Sequence, residues 1–129
     1  MPTRPLSPFA TIYRRTHSMV LSFAHRITGV AQAVGLALLA YWLMALSAGE
    51  AAYRDARDLL GQSWVKILLA AWLLAFVYHL CNGVRHLFWD AGVGLEKAEA
   101  RRSAIVVVAV ALLLFGFFLW RGFLAGGAL

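Results

Sequence analysis

Acidic residues are scarce in this chain, and charge of either sign is missing from long stretches of it. Six Asp and Glu stand against 12 Lys and Arg among 129 residues, and charged residues make up only 14% of the total. The first acidic side chain is Glu50. There is one cysteine, Cys81, so no intrachain disulfide can form, and a small buried apolar role suits it best. The three prolines all fall within the first eight residues. Their X-Pro steps start the chain in an extended conformation. No segment combines a basic start with a continuous apolar core in the way of a secretory signal, and none reads as a mitochondrial presequence. Linkers long enough to separate domains, repeats and low-complexity tracts are also missing, so residues 1–129 read as one domain.

What remains is apolar. Hydrophobic residues make up 62% of the sequence, with five Trp and eight Phe. A soluble globule of this size could not hide that much apolar surface. Three uncharged windows place it instead in lipid: Ile27–Ala48 with 22 residues, Ile67–Val84 with 18, and Ser103–Trp120 with 18. About 20 apolar residues cross a hydrocarbon core roughly 30 Å thick. The second window reaches this length with its flanks, Trp64 and Trp89, which suit the interfaces. In lipid each backbone group needs an internal partner, so the spans must be helices. The expected fold class is all-α, an integral membrane protein with spans near 27–48, 64–89 and 103–120 and a surface segment over 1–22. A short interfacial helix, Ala51–Leu60, is expected between the first two spans. Gly49 should end the first span, and Asp90, Gly92 and Gly94 the second.

Basic residues set the orientation. Arg4, Arg14, Arg15 and Arg26 precede the first span, and Lys97, Arg101 and Arg102 follow the second. Arg54, Arg57, Lys66 and Arg121 fall on the other side. The positive-inside rule then puts the N-terminus in the cytoplasm. The net charge of +6 reflects this topology, and nucleic acid is not an expected partner.

Ionisable groups inside a membrane are costly, which makes them candidates for function. Two clusters stand out. The first is HLCNGVRH, residues 79–86. His79 lies near the middle of the second span, and His86 follows seven residues later, nearly two turns along and on the same face. Gly83 sits between them on that face and leaves room for a flat group. His79 can be a haem ligand, a proton relay or a packed polar residue. A non-haem metal needs more ligands than the spans supply. The second cluster is SFAHR, residues 22–26. Ser22, His25 and Arg26 share one helical face at the mouth of the first span. They could meet the polar head of a quinone, or Ser22 could cap the helix with the basic pair as topology signal. A stripe of Gly29, Ala33 and Ala37 offers a surface for close packing.

Taken in order, RPLSPFATIY at 4–13, SFAHRITG at 22–29 and HLCNGVRHLFWDAG at 79–92 resemble the cytochrome b subunit of succinate dehydrogenase, the large membrane anchor of respiratory complex II. The resemblance covers the whole chain. It implies a bundle completed by a second membrane-anchor subunit, below an iron–sulfur subunit and a flavoprotein subunit. It implies haem b shared with the second anchor, with His79 as this chain's axial ligand and His25, Arg26, Gly83 and His86 in the haem pocket. Ser22 and Arg26 match residues lining the ubiquinone site. No residue of this chain would touch succinate. The expected setting is the bacterial inner membrane rather than the mitochondrial one. The alternatives are a haem-free structural anchor and the anchor of a fumarate reductase using menaquinone. A small proton or ion carrier would need acidic partners in the spans, which have none.

Overall fold

The computed structural model describes residues 16–124. Four α-helices follow one another in this range: α1 (His17–Ser47), α2 (Glu50–Leu60), α3 (Ser63–Asp90) and α4 (Lys97–Leu119). A π-helical turn, Trp120–Leu124, extends the last of them. There is no strand among the described residues. The motif at 4–13, the X-Pro steps and the last five residues lie outside them.

Three of these helices are long and apolar enough to cross a membrane: Met19–Ser47, Ser63–Asp90 and Lys97–Gly122. The expected all-α fold with three spans is therefore what the chain adopts. The helices run past the uncharged windows because a helix continues through the interface once its backbone bonds are made. This matters most for α1, which begins at His17 rather than near Ile27. Its N-cap is Thr16. Ser22 is thus inside the helix, and the reading of Ser22 as a cap is incorrect.

The ends of the helices follow local rules. Gly49, at φ +104°, separates α1 from the amphipathic α2. At the end of α3, Val93 N–H donates to Phe88 O at 2.9 Å and Gly92 N–H to Trp89 O at 2.9 Å. This is a Schellman closure, and Gly92 at φ +77° supplies its left-handed residue. The Trp89 indole N–H then donates to Gly94 O at 2.9 Å, which ties the loop back onto α3.

The interior is thin and made of small side chains. Buried apolar residues are Ala45, Ala56, Val65, Val77, Ala104, Val107 and Ala111. Large side chains such as Phe23, Val34, Leu68, Leu87, Leu113 and Trp120 are exposed on all three long helices. Lipid removes the hydrophobic drive for helix pairing, so close packing and polar bonds must hold the bundle. Gly35 provides the closest approach. A Cβ there would fall 1.9 Å from Nε1 of Trp72 on α3. The expected stripe divides: Gly29 touches α3, whereas Ala33 and Ala37 are exposed.

Candidate functional site: a histidine cluster between two spans

The two polar clusters of the sequence meet in one place. Helix α1 brings His25 against α3, where its imidazole stacks on that of His79, with ring centroids 3.9 Å apart and planes 9° from parallel. His86 is 5.1 Å from His25 on the other side, tilted by 36°. His25 thus fills the gap between two rings that lie nearly two turns apart on α3. His86 in turn meets the Trp89 ring edge-on at 5.2 Å. All three histidines are half-buried.

His79 is fixed from one side only. Its Nδ1 lies 3.1 Å from His25 O and 3.1 Å from Thr28 Oγ1, both on α1. A carbonyl oxygen only accepts, so this bond requires a proton on Nδ1. Thr28 has one hydroxyl proton, and Ala24 O at 2.8 Å and His25 O at 3.0 Å take it. Thr28 Oγ1 therefore accepts from Nδ1–H. In this tautomer the lone pair of His79 sits on Nε2, the form in which imidazole binds a metal.

Glycines let the rings pack closely, and the His25 ring takes the space beside Gly83 where the sequence suggested room for a flat group. A Cβ on Gly29 would sit 3.2 Å from His79 Cε1, and one on Gly83 would sit 3.9 Å from His25 Cε1. His25 Nδ1 is buried with no hydrogen-bond partner among the described residues. A buried polar atom of that kind is rare and marks a place where another group belongs. No group of three or more His, Cys, Asp or Glu that could hold a bare metal ion occurs among the described residues. The candidate donors at this place are the imidazoles of His25, His79 and His86.

Ser22 and Arg26 take the neighbouring positions of α1. Ser22 is half-buried and Arg26 is exposed. The face shared by Ser22, His25 and Arg26 is real, but His25 points at α3 while Arg26 points away from the bundle.

Arg85, next to His86 in the chain, does not join the cluster. Its guanidinium instead turns toward α4 and is only 5% exposed. Nε donates to Ser103 Oγ at 2.9 Å, one terminal nitrogen to Ala100 O at 2.8 Å and the other to Asn82 Oδ1 at 3.4 Å. The guanidinium carbon lies 3.9 Å from the centroid of Trp89. Position 85 is one residue short of His86, about 100° round the helix, so it faces another neighbour. Nothing in the spacing of the motif points to Ser103 and Ala100 as its partners. A further bond, Tyr78 OH to Leu21 O at 2.7 Å, joins α3 to α1 one turn above the cluster.

Three apolar helical spans with a cluster of imidazoles packed between two of them define a membrane-spanning helical subunit. The comparisons with known proteins make this specific. Residues 1–118 match the family model described as succinate dehydrogenase/fumarate reductase transmembrane subunit. The chain is 40% identical over 111 residues to the succinate dehydrogenase cytochrome b556 subunit of Rickettsia typhi, covering 86% of each chain. It is 39% identical over 112 residues to the cytochrome b556 subunit of Paracoccus denitrificans, covering 86% of this chain and 85% of that one. It is also 35% identical over 112 residues to the human mitochondrial cytochrome b560 subunit, covering 85% of this chain and 66% of the relative. The chain belongs to the succinate dehydrogenase/fumarate reductase transmembrane subunit family. It is a membrane-anchor subunit of that enzyme and not its catalytic head.

Proposed function

We propose that the chain is the haem b-binding anchor of a succinate:ubiquinone oxidoreductase in a bacterial inner membrane, with its N-terminus in the cytoplasm. The observation that carries the proposal is the pair of 3.1 Å contacts from His79 Nδ1 to His25 O and Thr28 Oγ1, which place the ring proton on Nδ1 and leave Nε2 to bind iron. The relatives are named succinate dehydrogenase cytochrome b556 subunit, and each match covers 86% of this chain. Haem b, when bound, supplies a one-electron redox centre at this depth in the membrane. Its second ligand would come from a second anchor subunit. His25, Gly83, His86 and Arg26 would complete the pocket on this side.

The quinone would bind at the cytoplasmic mouth of α1. Reduction of a quinone to a quinol takes two electrons and two protons. The electrons come from succinate through the flavoprotein and iron–sulfur subunits. This chain contributes position and hydrogen bonds: Ser22 donates to one carbonyl and Arg26 orients the quinone by its charge. Within the fold, one and the same helix supplies Ser22 and Arg26 to the quinone and His25 and Thr28 to the histidine cluster.

A haem-free anchor has one observation in its favour, since the bonds from His79 to α1 also hold two helices together. A redox difference spectrum separates the readings. The complex is purified through a tag on this chain and examined before and after succinate. A b-type band that appears with succinate and disappears in His79→Gln supports the proposal. An intact complex whose spectrum shows no haem would leave the haem-free anchor.

A further inference from the structure

We infer that Thr28 is a positioning residue for the haem ligand: its hydroxyl, together with the seat at Gly29, sets the rotation of the His79 imidazole and so the direction of Nε2. The inference rests on the haem-binding reading above and assigns a role to a residue that the motif itself leaves without one.

Three observations carry it. The first is that the Thr28 hydroxyl is itself pinned. It back-bonds to Ala24 O and His25 O within α1, and a β-branched side chain in a helix has few χ1 choices. Its lone pair therefore points in a fixed direction rather than sampling several. The second is that this lone pair meets His79 Nδ1 at 3.1 Å, and His25 O meets the same atom at the same distance. Two acceptors sharing one N–H fix the plane of the ring, which one acceptor would leave free to swing. The third is the floor of the seat. With hydrogen at position 29, the His79 Cε1 edge lies against α1; a Cβ there would stand at 3.2 Å, closer than nearly all such contacts. Thr28 and Gly29 are adjacent, so one turn of α1 supplies both the clamp and the surface.

The chemical consequence concerns electron donation. An imidazole whose Nδ1–H is strongly accepted by a neighbour is a better donor through Nε2. Such a ligand stabilises the oxidised iron more than the reduced iron. Weakening the acceptor pair should then raise the midpoint potential and loosen the group.

The test uses the whole complex in membranes, with Thr28→Val and Thr28→Ser compared with wild type. Valine keeps the shape and removes the hydroxyl; serine keeps the hydroxyl. The readouts are haem content per flavin, the midpoint potential by equilibrium titration, and the low-spin EPR signal of the oxidised iron, which reports ligand orientation. Thr28→Val is expected to weaken haem retention by about 10- to 100-fold, the range for groups that support a metal ligand, to raise the midpoint and to shift the EPR signal. Thr28→Ser is expected to match wild type in all three. Membranes keep weakly assembled complexes in view, so the EPR signal is read even if Thr28→Val purifies poorly. Wild-type haem content, potential and EPR signal in Thr28→Val would overturn the inference while leaving the haem-binding reading intact. Equal changes in the valine and serine variants would also overturn it, because packing rather than the hydroxyl would then be responsible. A wild-type complex without haem that depends on His79 would remove the parent reading and this one with it.

Discussion

His25 and His79 stack face to face across two helices, 3.9 Å apart and 9° from parallel. The contact joins the mouth of the first span to the middle of the second. It means that the ring of His25 acts on the cluster in two ways: as a flat surface and as the carrier of a buried nitrogen without a partner.

Those two roles can be separated. His25→Phe keeps a flat ring against His79 and removes both nitrogens. His25→Ala removes the surface as well and leaves a cavity beside the ligand. The phenylalanine variant is expected to assemble and to retain haem near the wild-type ratio to flavin. The alanine variant is expected to lose a large part of it. Haem-to-flavin ratios of the two purified complexes check this, and equal losses would assign the effect to the nitrogen.

Arg85 should be needed for the α3–α4 hairpin. A charge at the centre of a span costs about 2.5–3.5 kcal/mol on insertion scales, an upper bound for Arg85 near the end of α3. Bonds from a charged donor are worth roughly 1.5–3 kcal/mol each, so three of them offset that cost. Arg85→Met removes the charge and its bonds to Ser103 Oγ and the Ala100 carbonyl, which keep only the bond between themselves at 3.1 Å. Arg85→Lys keeps a charge with a single point of contact, and cannot reproduce the fork. Both variants are expected to lower the thermal inactivation midpoint of the complex, with lysine the milder. No change in the methionine variant would show that the hairpin is held by packing alone.

Gly35 and Trp72 form the tightest crossing in the bundle. A methyl group at position 35 would overlap the indole, with the nearest atom at 1.9 Å, and overpacking of this kind typically costs about 1–3 kcal/mol. Gly35→Ala is expected to reduce the amount of complex that survives detergent extraction. Adding Trp72→Leu should restore it, since leucine clears the space. A double variant no better than Gly35→Ala would place the defect somewhere other than this contact.

The sequence made the spans legible because absence of charge is a one-dimensional property, and lipid demands it over about 20 residues. It also made His79 and His86 legible as a pair, because a seven-residue spacing fixes a common face within one helix. It could not show that His25 would lie between them, since that depends on how α1 and α3 cross. Thr28 was hidden for the same reason. A threonine in an apolar helix is unremarkable until its neighbour across the interface is known. The place of Arg85 against α4 could not be read from its adjacency to His86, because successive helical residues point about 100° apart. Ala33 and Ala37 extended a plausible stripe from Gly29, but the crossing runs through Gly35, which is off that stripe.

The orientation has its own test. Arg101 and Arg102 are exposed in the first turns of α4, in the segment that the charge balance assigns to the cytoplasm. Arg54 and Arg57 are exposed on α2, on the opposite side. Trypsin applied to inverted vesicles should therefore cut at Arg101 and Arg102, and trypsin applied to right-side-out vesicles should reach Arg54, Arg57 and Arg121 but neither Arg101 nor Arg102. Protection by partner subunits can mask the first pair, so cysteines placed at 101 and 54 in separate variants, with Cys81→Ala as background, provide a second readout with an impermeant maleimide. Labelling of position 101 from the outer face, with position 54 protected there, would invert the topology. That result would also move the mouth of α1, with Ser22 and Arg26, to the side of the membrane away from the electron source, and the proposed quinone site would have to be abandoned.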